Sequence, residues 1–225
     1  MLDVHPPHHR LGGLKDFFIH LLTISVGLLI AVGIEGCVER HQHRELAQDA
    51  RETLRKEIKE NSKTMSDALT DIGKRETAIV GAIAMFKNIR QHPNDKSAQN
   101  GSFRTDFSLT PLDDTAWKTA QTTAALTFMP YDEANRYSDI YETQYQFKTT
   151  EEKLGEDFAQ LRGVVGKYDF DAGITPEAAG ATIERLNIMQ VHLATLKVMA
   201  EEAAAKDEGF LTGKAVPDNF HEDVK

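Results

Sequence analysis

Histidine, cysteine, tyrosine and paired carboxylates are the side chains with which this chain could do chemistry, and their spacing disfavours most of it. His5, His8 and His9 are transition-metal ligands by type, but Pro6-Pro7 holds them on an extended stretch with only Asp3 to complete a coordination set. His41 and His43 stand two apart and point in different directions on a helix, as do the adjacent Glu151 and Glu152. Cys37 is the only cysteine, which excludes an intrachain disulfide and a multi-cysteine metal site. No nucleophile–base arrangement, zinc spacing or phosphate loop occurs. The sequence therefore points away from an enzyme and assigns no catalytic, cofactor-binding or metal-ligating residue.

Two constellations remain, and both suit contact better than catalysis. Tyr137, Tyr141 and Tyr145 repeat every four residues, with Ile140, Phe147, Leu154, Phe158 and Leu161 nearby. Such a ridge offers a partner surface, since tyrosine combines contact area with a polar tip. The same spacing fits a core seam whose hydroxyls reach the rim, and the apolar neighbours favour the core. The second constellation is His20, Thr23, Gly27, Ala31 and Glu35, which at about 100° per residue share one narrow helix face. Small residues at four-residue spacing let another helix approach closely, and Thr or His can hydrogen-bond across the contact.

The second constellation lies in the most apolar stretch of the chain. Phe17 to Ile34 holds eighteen residues without a formal charge, bounded by Asp16 and Glu35. Extended to Val38 past one glutamate, it meets the roughly 20 residues that a bilayer core requires. A cleaved signal would have a shorter apolar region and an Ala-x-Ala site, which is missing. Ile34-Glu35-Gly36-Cys37 distantly resembles a lipoprotein lipobox, with Glu35 in place of a small or aliphatic residue. The expectation is an uncleaved anchor over 16–38, preceded by a flexible leader over 1–15. Arg10 and Lys15 precede the span, and a long downstream domain translocates largely regardless of its charge. The leader is thus expected in the cytoplasm, and the large C-terminal domain in the periplasm.

From Val38 the chain runs without Pro until Pro93 and is rich in helix formers. Leu46, Ala50, Leu54 and Ile58 step by four; Met65, Leu69, Ile72, Ile79, Ile83 and Phe86 continue in three- and four-residue steps. One long amphipathic helix is expected, continuous with the span, with 39–60 as a stalk and the more apolar second half as core. A bend near Asn61-Ser62 or Gly73 is allowed for. His92 to Thr110 reads as a long loop pinned by Phe103, Phe107 and Leu109. Pro111 to Phe128 reads as a helix around Trp117, Tyr131 to Tyr168 as another, and Thr175-Pro176-Glu177 as the start of the last. Residues 209–225 read as a polar tail. The fold class is therefore all-α: a transmembrane helix continuing into a bundle of about four helices, the bundle spanning 39–208.

The net charge of −9 and the interleaved acids and bases between Arg40 and Lys59 argue against a nucleic-acid partner. The segments HPPHHRLGGLKDFFIHLLTISVGLLIAVGIEGCVERHQHRE and DDTAWKTAQTTAALTFMPYDE resemble a group of bacterial single-span membrane proteins of no established activity. That resemblance implies a bacterial envelope protein and supplies no reaction; with the span, the expected location is the bacterial inner membrane. The functional expectation is a membrane-anchored interaction protein with the lipid bilayer as one partner. It would be a homo-oligomer or an accessory subunit of a larger membrane complex. The alternative is a small-molecule-binding or sensory bundle, against which stands the short stretch before the span.

Overall fold

The computed structural model describes residues 13–99, 107–168 and 173–214, all of whose regular structure is helical. Helix α1 spans Leu14–Gln91 without a break, α2 Thr115–Thr122, α3 Tyr131–Val165 and α4 Pro176–Thr212, with a 3-10 turn over Ala125–Phe128 between α2 and α3. The expected bend in α1 is not a break: Gly73 is carried within the helix. Pro93 ends α1, because the residue before a proline is driven out of helical geometry. The chain divides into two compact units, Met1–Asp49 and Ala50–Lys225.

The described part of the first unit is helical, and over 14–35 all its side chains are exposed. Phe17, Leu22 and Leu29 are 62, 65 and 71% exposed. This helix is long and apolar enough to cross a membrane.

The second unit is a bundle built from α1 beyond Ala50 together with α3 and α4. Leu54, Ile58, Met65, Phe86, Phe147, Leu154, Leu186, Met189 and Leu193 are fully buried, or nearly so. Pairings along the helices fix their directions. Asp157 meets His192 and Thr143 meets Lys206, so α3 and α4 run antiparallel. Arg51 meets Glu133 and Glu57 meets Tyr141, so α1 and α3 run parallel. Two parallel neighbours need a connection that travels the length of the contact. Residues 92–130 make that return.

The caps follow the sequence. The Thr175 side chain accepts from the Ala178 N–H at 3.2 Å and Pro176 opens α4, which Gly213 closes in the left-handed region at φ +73°. Asp132 and Glu133 occupy the first turn of α3, where the helix dipole favours carboxylates.

Three expected boundaries change. The Pro111–Phe128 helix is the short α2 and a 3-10 turn, divided where Ala124 takes a left-handed φ of 57°. Helix α4 continues to Thr212, so Gly209 to Thr212 do not belong to a tail. As a result, the bundle takes in Ala50, Leu54 and Ile58, expected in a stalk over 39–60. The last two corrections share a cause. The final turn of α4 supplies Phe210, whose ring lies 5.2 Å from Tyr137, and Arg55 sits over that ring and donates to the Leu211 carbonyl at 3.0 Å. Ending α4 at 208 left α1 uncovered at this level.

Candidate functional site

The return segment is the most informative part of the bundle. Residues 107–114 have no regular structure, so their backbone groups must find partners elsewhere. Polar side chains of α1 and α3 supply them. Glu151 accepts from the Thr110 N–H at 2.9 Å and from its hydroxyl at 2.6 Å. Asn61 accepts from the Asp113 N–H at 3.0 Å and donates to the Asp113 carbonyl at 2.7 Å, closing a two-bond clasp. Glu57 accepts from the Ala116 N–H at 2.7 Å and the Trp117 N–H at 3.3 Å, capping α2 from another helix. The segment is thus a strap held to the groove between α1 and α3.

Aromatic contacts close the strap at both ends. Trp117 stacks on Tyr141 with ring centroids 5.0 Å apart, and Phe107 stacks on Phe158 at 5.2 Å. Gly155 makes the second contact possible: a Cβ there would stand 2.9 Å from the Phe107 ring. The Arg75 guanidinium covers both phenyl rings and pairs with Asp71 at 2.7 Å.

Behind the strap the polar groups continue across the core. Tyr141 donates to Glu57 at 2.7 Å. Asn61 donates to the Gln144 side-chain carbonyl at 2.9 Å, and the Gln144 amide donates to Asp207 Oδ1 at 2.9 Å. Asp207 has no exposed surface, and its Oδ2 has no hydrogen-bond partner among the described residues. Burial raises its pKa to about 7, opposed by the Gln144 hydrogen bond. Burial, with Glu57 next, likewise pushes the Tyr141 hydroxyl well above the ordinary tyrosine range. Because the folded Asp207 holds its proton more tightly than the unfolded chain does, its contribution to stability is complete below the ordinary aspartate value of 3.8. It declines as pH rises to about 7.

At the rim, Arg51 and Glu133 form a two-bond ion pair at 2.6 and 2.9 Å, which raises the arginine pKa. A cavity of about 280 Å³ is lined by Ile79, Phe158 and Met189 together with Lys74, Arg75 and Asp71.

The tyrosine ridge is divided. Tyr137 and Tyr141 are buried, while Tyr145 is 64% exposed, so the three do not present one surface. The helix-face residues His20, Thr23, Gly27, Ala31 and Glu35 are all exposed. Thr23 donates back to the Ile19 carbonyl at 2.8 Å, and beyond its own helix backbone a Gly27 Cβ would meet nothing within 4 Å among the described residues. Leu109 is exposed, Phe107 is half-buried, and Phe103 lies outside the described residues. The polar network itself was missed by the sequence reading, although a signal for it exists. Glu57 and Asn61 fall on the stripe Leu54–Ile58–Met65, Gln144 and Glu151 on Ile140–Phe147–Leu154, and Asp207 on Leu196–Ala200–Ala203. Polar residues on an apolar stripe mark buried partners. No protein-family model, curated protein or solved structure matches the chain.

Proposed function

We propose that the chain is a membrane-anchored helical interaction protein, a self-assembling component or accessory subunit of a bacterial envelope complex. The observation that carries this reading is the first unit: a helix apolar on every side, with none of its 14–35 side chains covered. A helix of that kind needs lipid or other helices around it. Within it, His20, Thr23, Gly27, Ala31 and Glu35 form the face that another helix approaches, because between helices in lipid the contact rests on close packing rather than on hydrophobic drive. The leader with Arg10 and Lys15 lies in the cytoplasm and the bundle in the periplasm, so protease added to spheroplasts digests the bundle. Protection until the membrane is broken reverses that orientation.

Assembly is tested by the size of the complex extracted in mild detergent. Gly27→Leu adds bulk to the contact face without impairing insertion, and the expected result is a smaller complex. Leu28→Ala, off that face, leaves the size unchanged. If the unmodified chain runs as a lone monomer, the interaction reading fails. If all three run as the same oligomer, the face is not the contact.

A further inference from the structure

The structure assigns Asp207 a role as a proton-operated latch, whose ionisation sets how firmly the strap 107–130 is held in the groove between α1 and α3. A continuous set of hydrogen bonds joins the two. Asp207 Oδ1 accepts from the Gln144 amide, the Gln144 carbonyl accepts from the Asn61 amide, and Asn61 clasps the Asp113 backbone in both directions. Each amide has its orientation fixed by the next. A displacement of Asp207 therefore reaches the strap through two side chains, without any backbone shift in α1 or α3.

The local chemistry is unbalanced when Asp207 is charged. Its Oδ2 has no donor among the described residues, and the only bond at Oδ1 comes from a neutral amide. The groups on the surrounding elements do not compensate it. From α1 the nearest network acid is Glu57, already occupied by Tyr141 and by the α2 N–H groups. From α3, Tyr141 spends its hydroxyl proton on Glu57, and Tyr137 is a neutral phenol with its own pKa raised by burial. Arg55 and Arg136 lie over the Phe210 ring, and Arg51 is engaged by Glu133. Within α4, Lys206 is engaged by Asp139 and Glu202. A charge buried without a partner is relieved by admitting water or by moving toward it. Either response pulls on Gln144 and loosens the Asn61 clasp. The titration falls close to neutrality, with a raised carboxyl pKa of about 7, so the strap is held at mildly acidic pH and eased above neutrality. The latch is internal to the bundle and does not depend on the assembly reading above.

Trp117 is the only tryptophan, it lies within the strap, and it stacks on Tyr141, so its fluorescence reports the strap directly. The experiment uses the full chain in nanodiscs, titrated from about pH 5.5 to about pH 8.5. The expected result is a one-proton transition near neutrality, to red-shifted emission and faster acrylamide quenching on the alkaline side. Asp207→Asn keeps the side-chain shape and cannot ionise, and the transition disappears. Gln144→Met leaves Asp207 in place but breaks the relay. Thermal stability then still depends on pH while Trp117 no longer does. A flat wild-type titration overturns the latch. So does a transition that survives in Asp207→Asn, which would belong to another group. A Trp117 transition unchanged in Gln144→Met overturns the relay.

Discussion

Helix α3 meets its two long neighbours in opposite ways. Against α4 the backbones come within 8 Å of each other along the contact, helped by small buried residues on α4 such as Ala179, Thr182, Ala200 and Ala203. Between α3 and α1 lies the strap, whose backbone groups are held by buried carboxylates and an amide. The second contact is held by hydrogen bonds to the strap, whereas the first adds small-residue packing to direct side-chain pairs such as Gln144 with Asp207 and Asp157 with His192. A close-packed seam responds to lost atoms, whereas a polar groove responds to a lost partner.

That contrast separates substitutions by size and by readout. Phe147→Ala, at a ring with no exposed surface in the main core, is expected to cost about 4 kcal/mol, measured by thermal or denaturant unfolding in detergent. A loss below about 1 kcal/mol would mean that the core is not packed as described. Glu57→Ala leaves the Ala116 and Trp117 N–H groups and the Tyr141 hydroxyl without their acceptor and is expected to cost about 3 kcal/mol. Trp117 emission should shift before global unfolding, because the strap gives way first. Glu57→Gln keeps one acceptor oxygen and should cost about half as much, with Trp117 emission little changed. If Glu57→Ala and Phe147→Ala unfold with Trp117 moving only in the main transition, strap and seam are one cooperative unit and the distinction fails.

The seam was legible in the sequence and the groove was not, for a physical reason. Helical periodicity registers apolar residues, so Ile140, Phe147, Leu154 and Leu161 were expected in the core, where they are buried. The acids Glu57, Glu151 and Asp207 were passed over because charged residues on long helices are usually solvated. Glu57 and Glu151 are buried against backbone donors from residues 110–117, about 40 to 60 positions away in the chain, and Asp207 against the Gln144 amide 63 positions away, which local pattern does not register. Trp117 stood out as a large residue among Thr and Ala, but its partner Tyr141 was read with Tyr145, which faces solvent. The helix face containing Gly27 was read from spacing alone, and it remains an exposed face of one helix.

The parallel arrangement of α1 and α3 also bears on the order of folding. Contacts between α3 and α4, such as Gln160 with Arg185, span 25 residues, while Arg51 with Glu133 and Glu57 with Tyr141 span 82 and 84. Short loops close before long ones, so the α3–α4 hairpin should form early and α1 should dock onto it afterwards. Yet α1 leaves the ribosome first. Its apolar stripe from Leu54 to Phe86 must wait, uncovered, until most of the remaining chain has been made. The exposed acids and bases interleaved along that helix, such as Lys56, Lys59 and Glu60, keep it soluble through that interval.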